Sequence, residues 1–220
     1  MTNKYKAIIL VIASPTIYYN KNKVILDKCM NSNPNIKTFF IYGNINKELI
    51  YKSEHDLFFD CKESLRPGIL KKTLLSFEYI LKNFEFDYVI RTNISTFWNL
   101  SYLLNIINKL PINKCIAGNV THKNFIMGTC IILSKDLVEY IINNKHKVHI
   151  NIHDDVELTR FYQRELKLKL IHIPRCDRYI NQFPMNNNNI PKKFICYRVK
   201  TQNNRHLDSF KMFKLYKIFY

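Results

Sequence analysis

Residues 7–13 (AIILVIA) form an unbroken apolar run, rich in β-branched side chains, that stops at Ser14-Pro15. The run is far too short to span a bilayer, and its lack of polar alternation gives it no solvent-facing side. A strand buried on both faces satisfies it, and such strands lie at the centre of parallel sheets covered by helices. Lys4 and Lys6 precede the run as they would in a signal peptide. Seven apolar residues are minimal for that role, however, and no clean small-x-small cleavage site follows.

The rest of the chain alternates to match. Helical spacing in 23–30 precedes a strand at 38–42, stopped by Gly43-Asn44, and another at 56–61 (DLFFDC). Pro67-Gly68 opens a helix to about Asn83 whose apolar face holds Leu70, Phe77 and Ile80. A short strand at 88–91 and a helix at 97–110, closed by Pro111, come next. Strands at 114–119 and 129–133 flank a polar turn at 121–124, and Ser134 is placed to cap a helix at 135–143. A helix opens at Asp154-Asp155, where carboxylates favour the N-terminus, and runs to about 167. A strand at 168–173, a loop at 184–191 with four consecutive Asn, a strand at 194–199 and a helix at 209–219 complete the chain.

The expected fold is α/β, a single Rossmann-like domain with a mainly parallel central sheet and helices on both faces. Ligands in such sheets bind beyond the carboxyl ends of the strands, here after Ala13, Arg91 and Asn119 and beside Asp154. No GxGxxG follows the first strand and no GxxxxGK[ST] occurs, which argues against a dinucleotide oxidoreductase or a P-loop NTPase.

The charge is strongly positive, 34 basic against 17 acidic residues. Lys supplies 26 of the basic residues, and Asn (26) and Ile (30) are inflated with it, as an A/T-rich viral or low-GC genome would write them. Positive charge alone is therefore a weak pointer to nucleic acid, although the last forty residues carry about +7. Six scattered cysteines without CxxC or Cys/His zinc spacing fit a reduced, cytoplasmic setting. No apolar run is long enough to cross a membrane.

Four blocks carry a resemblance. Residues 87–100 (DYVIRTNISTFWNL) resemble the strand-and-site segment of GT-A glycosyltransferases of the β-1,3-galactosyltransferase and fringe group, of the form DyvlKtDDDvFvnl. Lys72-Thr73 is similar to a Lys-Thr pair on that family's helix, residues 125–137 to its "sGtgYvlSrdl" block, and Asp154-Asp155-Val156 to its "EDV" motif. The blocks keep the family's order across about residues 56–173. The main departure is the acidic triplet that holds a divalent metal in the family, replaced here by Asn93-Ile94-Ser95. An amide and a hydroxyl are poor substitutes for carboxylates around Mn²⁺ or Mg²⁺.

The resemblance implies a glycosyltransferase that moves a sugar, with inversion, from a nucleotide-diphosphate sugar, UDP-linked, to a hydroxyl of a glycan acceptor. It places the nucleotide near Ser14, Pro15 and Thr16, with the ribose near Asn93 and the donor also facing Arg66, Lys72 and Thr92. Arg91 directly follows a strand, where its guanidinium can reach a phosphate. Arg198, Lys200, Arg205 and His206 surround a short polar loop after the last strand. The resemblance has such a C-terminal segment, about 194–220, fold back over the nucleotide, assigning Lys200 and Arg205 to phosphate and Ser95 and His206 to a divalent metal. Asp155, or Asp154 if the register slips by one, is the implied base, and both carboxylates can also simply cap the helix. Trp98 can stack on an acceptor sugar or belong to the core, and Gly128 admits a close approach by acceptor or backbone. Two rival readings remain: a basic nucleic-acid-binding module, and a non-catalytic glycan-binding descendant of the transferase fold.

Overall fold

A computed structural model describes residues 4–44, 49, 51–177, 190–201 and 204–220. Its strands are β1 (Lys4–Ile12), β2 (Ile36–Asn44), β3 (Asp56–Lys62), β4 (Glu85–Asn93), β5 (Thr96–Trp98), β6 (Ile116–Val120), β7 (Ile126–Ser134), β8 (Ile171–His172) and β9 (Cys196–Arg198). Its helices are α1 (Ile17–Met30), α2 (Gly68–Asn83), α3 (Leu100–Ile107), α4 (Lys135–Asn143), α5 (Asp154–Leu166) and α6 (His206–Phe219). Among the described residues seven strands make one sheet, ordered β3-β2-β1-β4-β7-β6-β8. Neighbours in β3-β2-β1-β4 and in β6-β8 are parallel, whereas β7 runs antiparallel to both β4 and β6.

β1 is the spine. Its side chains alternate between two cores because successive residues of a strand point to opposite faces. Ala7, Ile9 and Val11 join α1, α3 and α6 on one face, through Leu26, Leu103 and Leu215 among others. Ile8, Leu10 and Ile12 join α2, α4 and α5 on the other, through Phe77, Val138 and Phe161. An apolar run with no polar alternation thus ends with both faces covered, and the expected α/β architecture with its mainly parallel sheet is the one observed.

Three local expectations change. Residues 97–98 are strand, not helix: β5 pairs antiparallel with β9, and Asn99 begins α3 instead, its Oδ1 accepting from Tyr102 N at 3.1 Å. Ser134 stands at the N-cap of α4, but its hydroxyl accepts from Cys115 N at 2.9 Å and ties β7 to the start of β6. The strand expected at 168–173 shortens to β8. Residues 184–189 of the expected Asn-rich loop lie outside the described residues.

Candidate functional site

After β1 the chain crosses through α1 to β2 on one side, then returns through β3 and α2 to β4 on the other. Loops leaving β1 and β4 therefore diverge, and a crevice opens beyond their carboxyl ends. A cavity of about 550 Å³ occupies it. Ser14, Pro15 and Thr16 form one wall and Glu63, Ser64 and Leu65 a second. Asn93, Ile94 and Ser95 form a third, and Arg198 and Lys200 arrive from the exit of β9. Backbone pairing holds that last wall in place, since Thr96 lies opposite Arg198 and Val199 N donates to Ser95 O at 3.0 Å.

Lys72 builds the floor rather than facing the cavity. It is fully buried, and Nζ donates to Ala13 O at 2.9 Å and to Glu63 Oε1 at 2.6 Å. Glu63 Oε2 in turn accepts from Gly43 N at 2.7 Å, so one ion pair ties together the ends of β1, β2 and β3. Burial pushes the Lys72 amine down, with Glu63 opposing the shift.

Arg91 is likewise committed. It is 2% exposed; Nη2 sits 2.6 Å from Asp154 Oδ2, and Nη1 donates to Asn93 Oδ1 at 2.8 Å and to Gly128 O. Burial pushes the Asp154 carboxyl above its ordinary range, and the guanidinium opposes that rise. The close approach that a glycine allows at 128 is made by Arg91, since a Cβ there would lie 2.6 Å from Arg91 Nη1. Asp155 shares the cluster: Oδ2 accepts from Gly128 N at 3.0 Å and Oδ1 from Val156 N at 2.9 Å. Arg91 thus stands one hydrogen bond behind Asn93 at the cavity wall, with Asp154 and Gly128 against Arg91 and Asp155 behind Gly128.

Several expected site residues are placed elsewhere. Trp98 is fully buried in the α1/α3/α6 core and offers no ring face to a sugar. Thr92 is fully buried with its hydroxyl donating to Thr129 O at 2.6 Å, a tether between β4 and β7. Ser95 reaches the cavity but is 3% exposed. Arg66 is exposed beside the Ser64-Leu65 wall. Arg205 pairs with Asp208 at 3.1 Å and lies 5.1 Å over the ring of Tyr19, which lines the cavity. His206 lies edge-on to Tyr18 and lines a separate cavity of about 100 Å³ with Lys21 and Ser209.

The donor set does not fit a divalent metal. Asn93 Oδ1 already accepts from Arg91, Ser95 is buried, and His206 faces a different cavity. No cluster of three His, Cys, Asp or Glu side chains suited to a metal occurs among the described residues. Sequence reasoning missed Arg175, whose Nη1 donates to Thr129 Oγ1 at 2.9 Å and whose Nε and Nη2 reach Asp177 Oδ2 at 2.9 and 2.6 Å. Its one local signal is its position directly after Pro174, at a strand end.

No protein-family model matches the chain, and no curated protein sequence matches it. Solved structures do. A crystal structure of a glycosyltransferase involved in the glycosylation of the major capsid of PBCV-1 matches at 12% identity and a TM-score of 0.53, over 94% of this chain and 98% of that one. The glycosyltransferase GlyE of Streptococcus pneumoniae TIGR4 matches at 11% identity and 0.50, and its apo form at 13% and 0.52, each over 99% of this chain. The chain spans 62% of GlyE's length. At these identities the likeness carries the fold alone: a mixed α/β, GT-A-like domain. No helix among the described residues is long and apolar enough to cross a membrane.

Proposed function

We propose that the protein transfers a sugar from a nucleotide-diphosphate sugar to a hydroxyl of a glycan, and that the donor lies in the cavity beyond β1 and β4. One observation carries the reading: the cavity sits at the switch point of the sheet, with the 14–16 loop on one wall and the cations Arg198 and Lys200 on another. The base and ribose face the first wall, and the diphosphate faces the cations. Asp155, linked to Asn93 through Gly128 and Arg91 and held by two backbone amides, is the base. In the transfer the acceptor oxygen bonds to the anomeric carbon while the carbon–oxygen bond to the diphosphate breaks. The bonding pair leaves with the diphosphate, the acceptor's proton passes to Asp155, and the anomeric centre inverts. The fringe-type group is the subfamily that residues 87–100 favour.

A thermal-shift panel of UDP-, GDP- and TDP-sugars, read with and without Mn²⁺, tests the reading. A ligand that binds only the native state raises the melting temperature, by an amount set by its concentration relative to Kd. The expected result is a saturable rise with one nucleotide-sugar and none with the free sugar. No rise with any nucleotide-sugar would overturn the assignment.

A further inference from the structure

We propose that a cationic cluster centred on Arg198 binds the donor diphosphate and takes up the charge of the departing group in place of a divalent metal. The proposal rests on the donor-cavity reading above and assigns its diphosphate subsite.

Arg198 lines the cavity and is half-buried, yet its guanidinium has no hydrogen bond or ion pair among the described residues. Its surroundings are cationic. Burial pushes it below its ordinary pKa, and so do the nearby charges of Arg175 and Arg205, with Asp177 opposing. Lys200, exposed on the same rim, is pushed down by burial and by Arg198 and Arg205. The neighbours' carboxylates are already engaged: Asp177 with Arg175 at 2.6 Å, and Asp208 with Arg205 at 3.1 Å. With Arg175 and Arg205 each paired to a carboxylate, Arg198 and Lys200 are left as two uncompensated positive charges on the cavity wall among the described residues.

A half-buried guanidinium without a partner is costly, because desolvation disfavours its charge and like-charged neighbours add repulsion. The described residues supply no hydrogen bond or ion pair to offset that cost. A dianionic ligand removes it, and the diphosphate of a nucleotide-sugar, with two ionised diester phosphates, matches the charge in number and sign. Guanidinium also meets phosphate oxygens through paired N–H donors, a geometry that strengthens as negative charge builds on the leaving oxygen. The position is equally specific. Pairing of β5 with β9 sets Arg198 against the 93–96 turn, whose neutral Asn93 and Ser95 stand where the resembling family keeps its metal-binding carboxylates. A dication beside this cluster would meet repulsion and little compensating charge, since Glu63, the carboxylate on the cavity wall, is held by Lys72.

The test is isothermal titration of the whole chain with UDP, GDP, TDP and inorganic pyrophosphate, in EDTA and again in Mn²⁺. Wild type, Arg198→Gln, Arg198→Lys and Lys200→Gln are compared, with melting curves to confirm folding. Lys200 is exposed and serves as the variant without a packing role. EDTA should leave the affinity of the best nucleotide within twofold. Arg198→Gln should weaken nucleotide and pyrophosphate by about 10-fold or more, the scale of a charged hydrogen bond, with no rescue by Mn²⁺. Arg198→Lys should fall between, and Lys200→Gln should lose several-fold. Binding abolished by EDTA and restored by Mn²⁺ would overturn the proposal. So would nucleotide binding that is unchanged in both Arg198→Gln and Lys200→Gln, while leaving the donor reading intact. Pyrophosphate binding that depends on Arg198, with no nucleotide binding tighter, would uphold the cluster and sink the donor reading. No binding of any probe sinks both.

Discussion

Arg91→Met isolates the buried ion pair behind Asn93. Methionine keeps much of the stem's apolar volume and removes the guanidinium, leaving the Asp154 carboxylate, whose side chain is 8% exposed, without its counter-charge. Removing one partner of a buried pair costs about 3–5 kcal/mol, because the other charge stays desolvated. For a chain of 220 residues that corresponds to a fall in melting temperature of about 6–20 °C. The loss must also depend on pH. Burial already holds the Asp154 carboxyl above its ordinary range, against Arg91, so removing Arg91 raises it further. A carboxyl whose folded pKa exceeds its unfolded value contributes most below about pH 4, and that contribution is lost as pH rises through the folded value. Each further unit of rise therefore costs about 1.4 kcal/mol at pH 8 and less at pH 5. Urea unfolding of wild type and Arg91→Met at the two pH values reads both numbers. The added change Asp154→Asn should recover part of the loss at pH 8 and little at pH 5. A loss under about 1 kcal/mol, or one equal at both pH values, would refute the argument.

Other substitutions bear on the site. Asp155→Asn keeps one of the two backbone contacts, so donor affinity in calorimetry should hold while turnover falls about 10²- to 10⁴-fold; normal turnover would remove Asp155 as base. Gly128→Ala puts a methyl 2.6 Å from Arg91 Nη1, and thermal unfolding should register an overpacking loss of about 1–3 kcal/mol, whereas a wild-type curve would contradict the tight passage. Lys72→Met severs the tie from Glu63 to Ala13, so donor KM should rise with little change in kcat; an equal fall in kcat with KM unchanged would place Lys72 in the chemistry instead.

What could be read without coordinates follows from range. The 7–13 run announces its own burial, and the alternation of strands and helices implies the layered sheet and the end of it where ligands bind. Ser14, Asn93 and Lys200 do meet at one cavity for that reason. Contacts between distant residues leave no local mark. Strand β5 exists because it pairs with β9, about a hundred residues on, so Phe97 and Trp98 read as a helix start and are core strand. Arg91 presents itself as a phosphate ligand because it ends an apolar strand. Its partner Asp154 lies 63 positions later, and only the folded chain shows the pair closed. Arg175 was invisible for the same reason: it earns its place through Thr129 on β7.

The most direct test of the account is a crystal structure of the protein with the nucleotide-sugar that stabilises it most. The account predicts the base against Ser14–Thr16, the diphosphate within hydrogen-bond distance of the Arg198 guanidinium, and the anomeric carbon turned toward Asp155. A nucleotide bound away from this cavity would contradict it. So would a diphosphate held through a metal by carboxylates, with Arg198 turned aside.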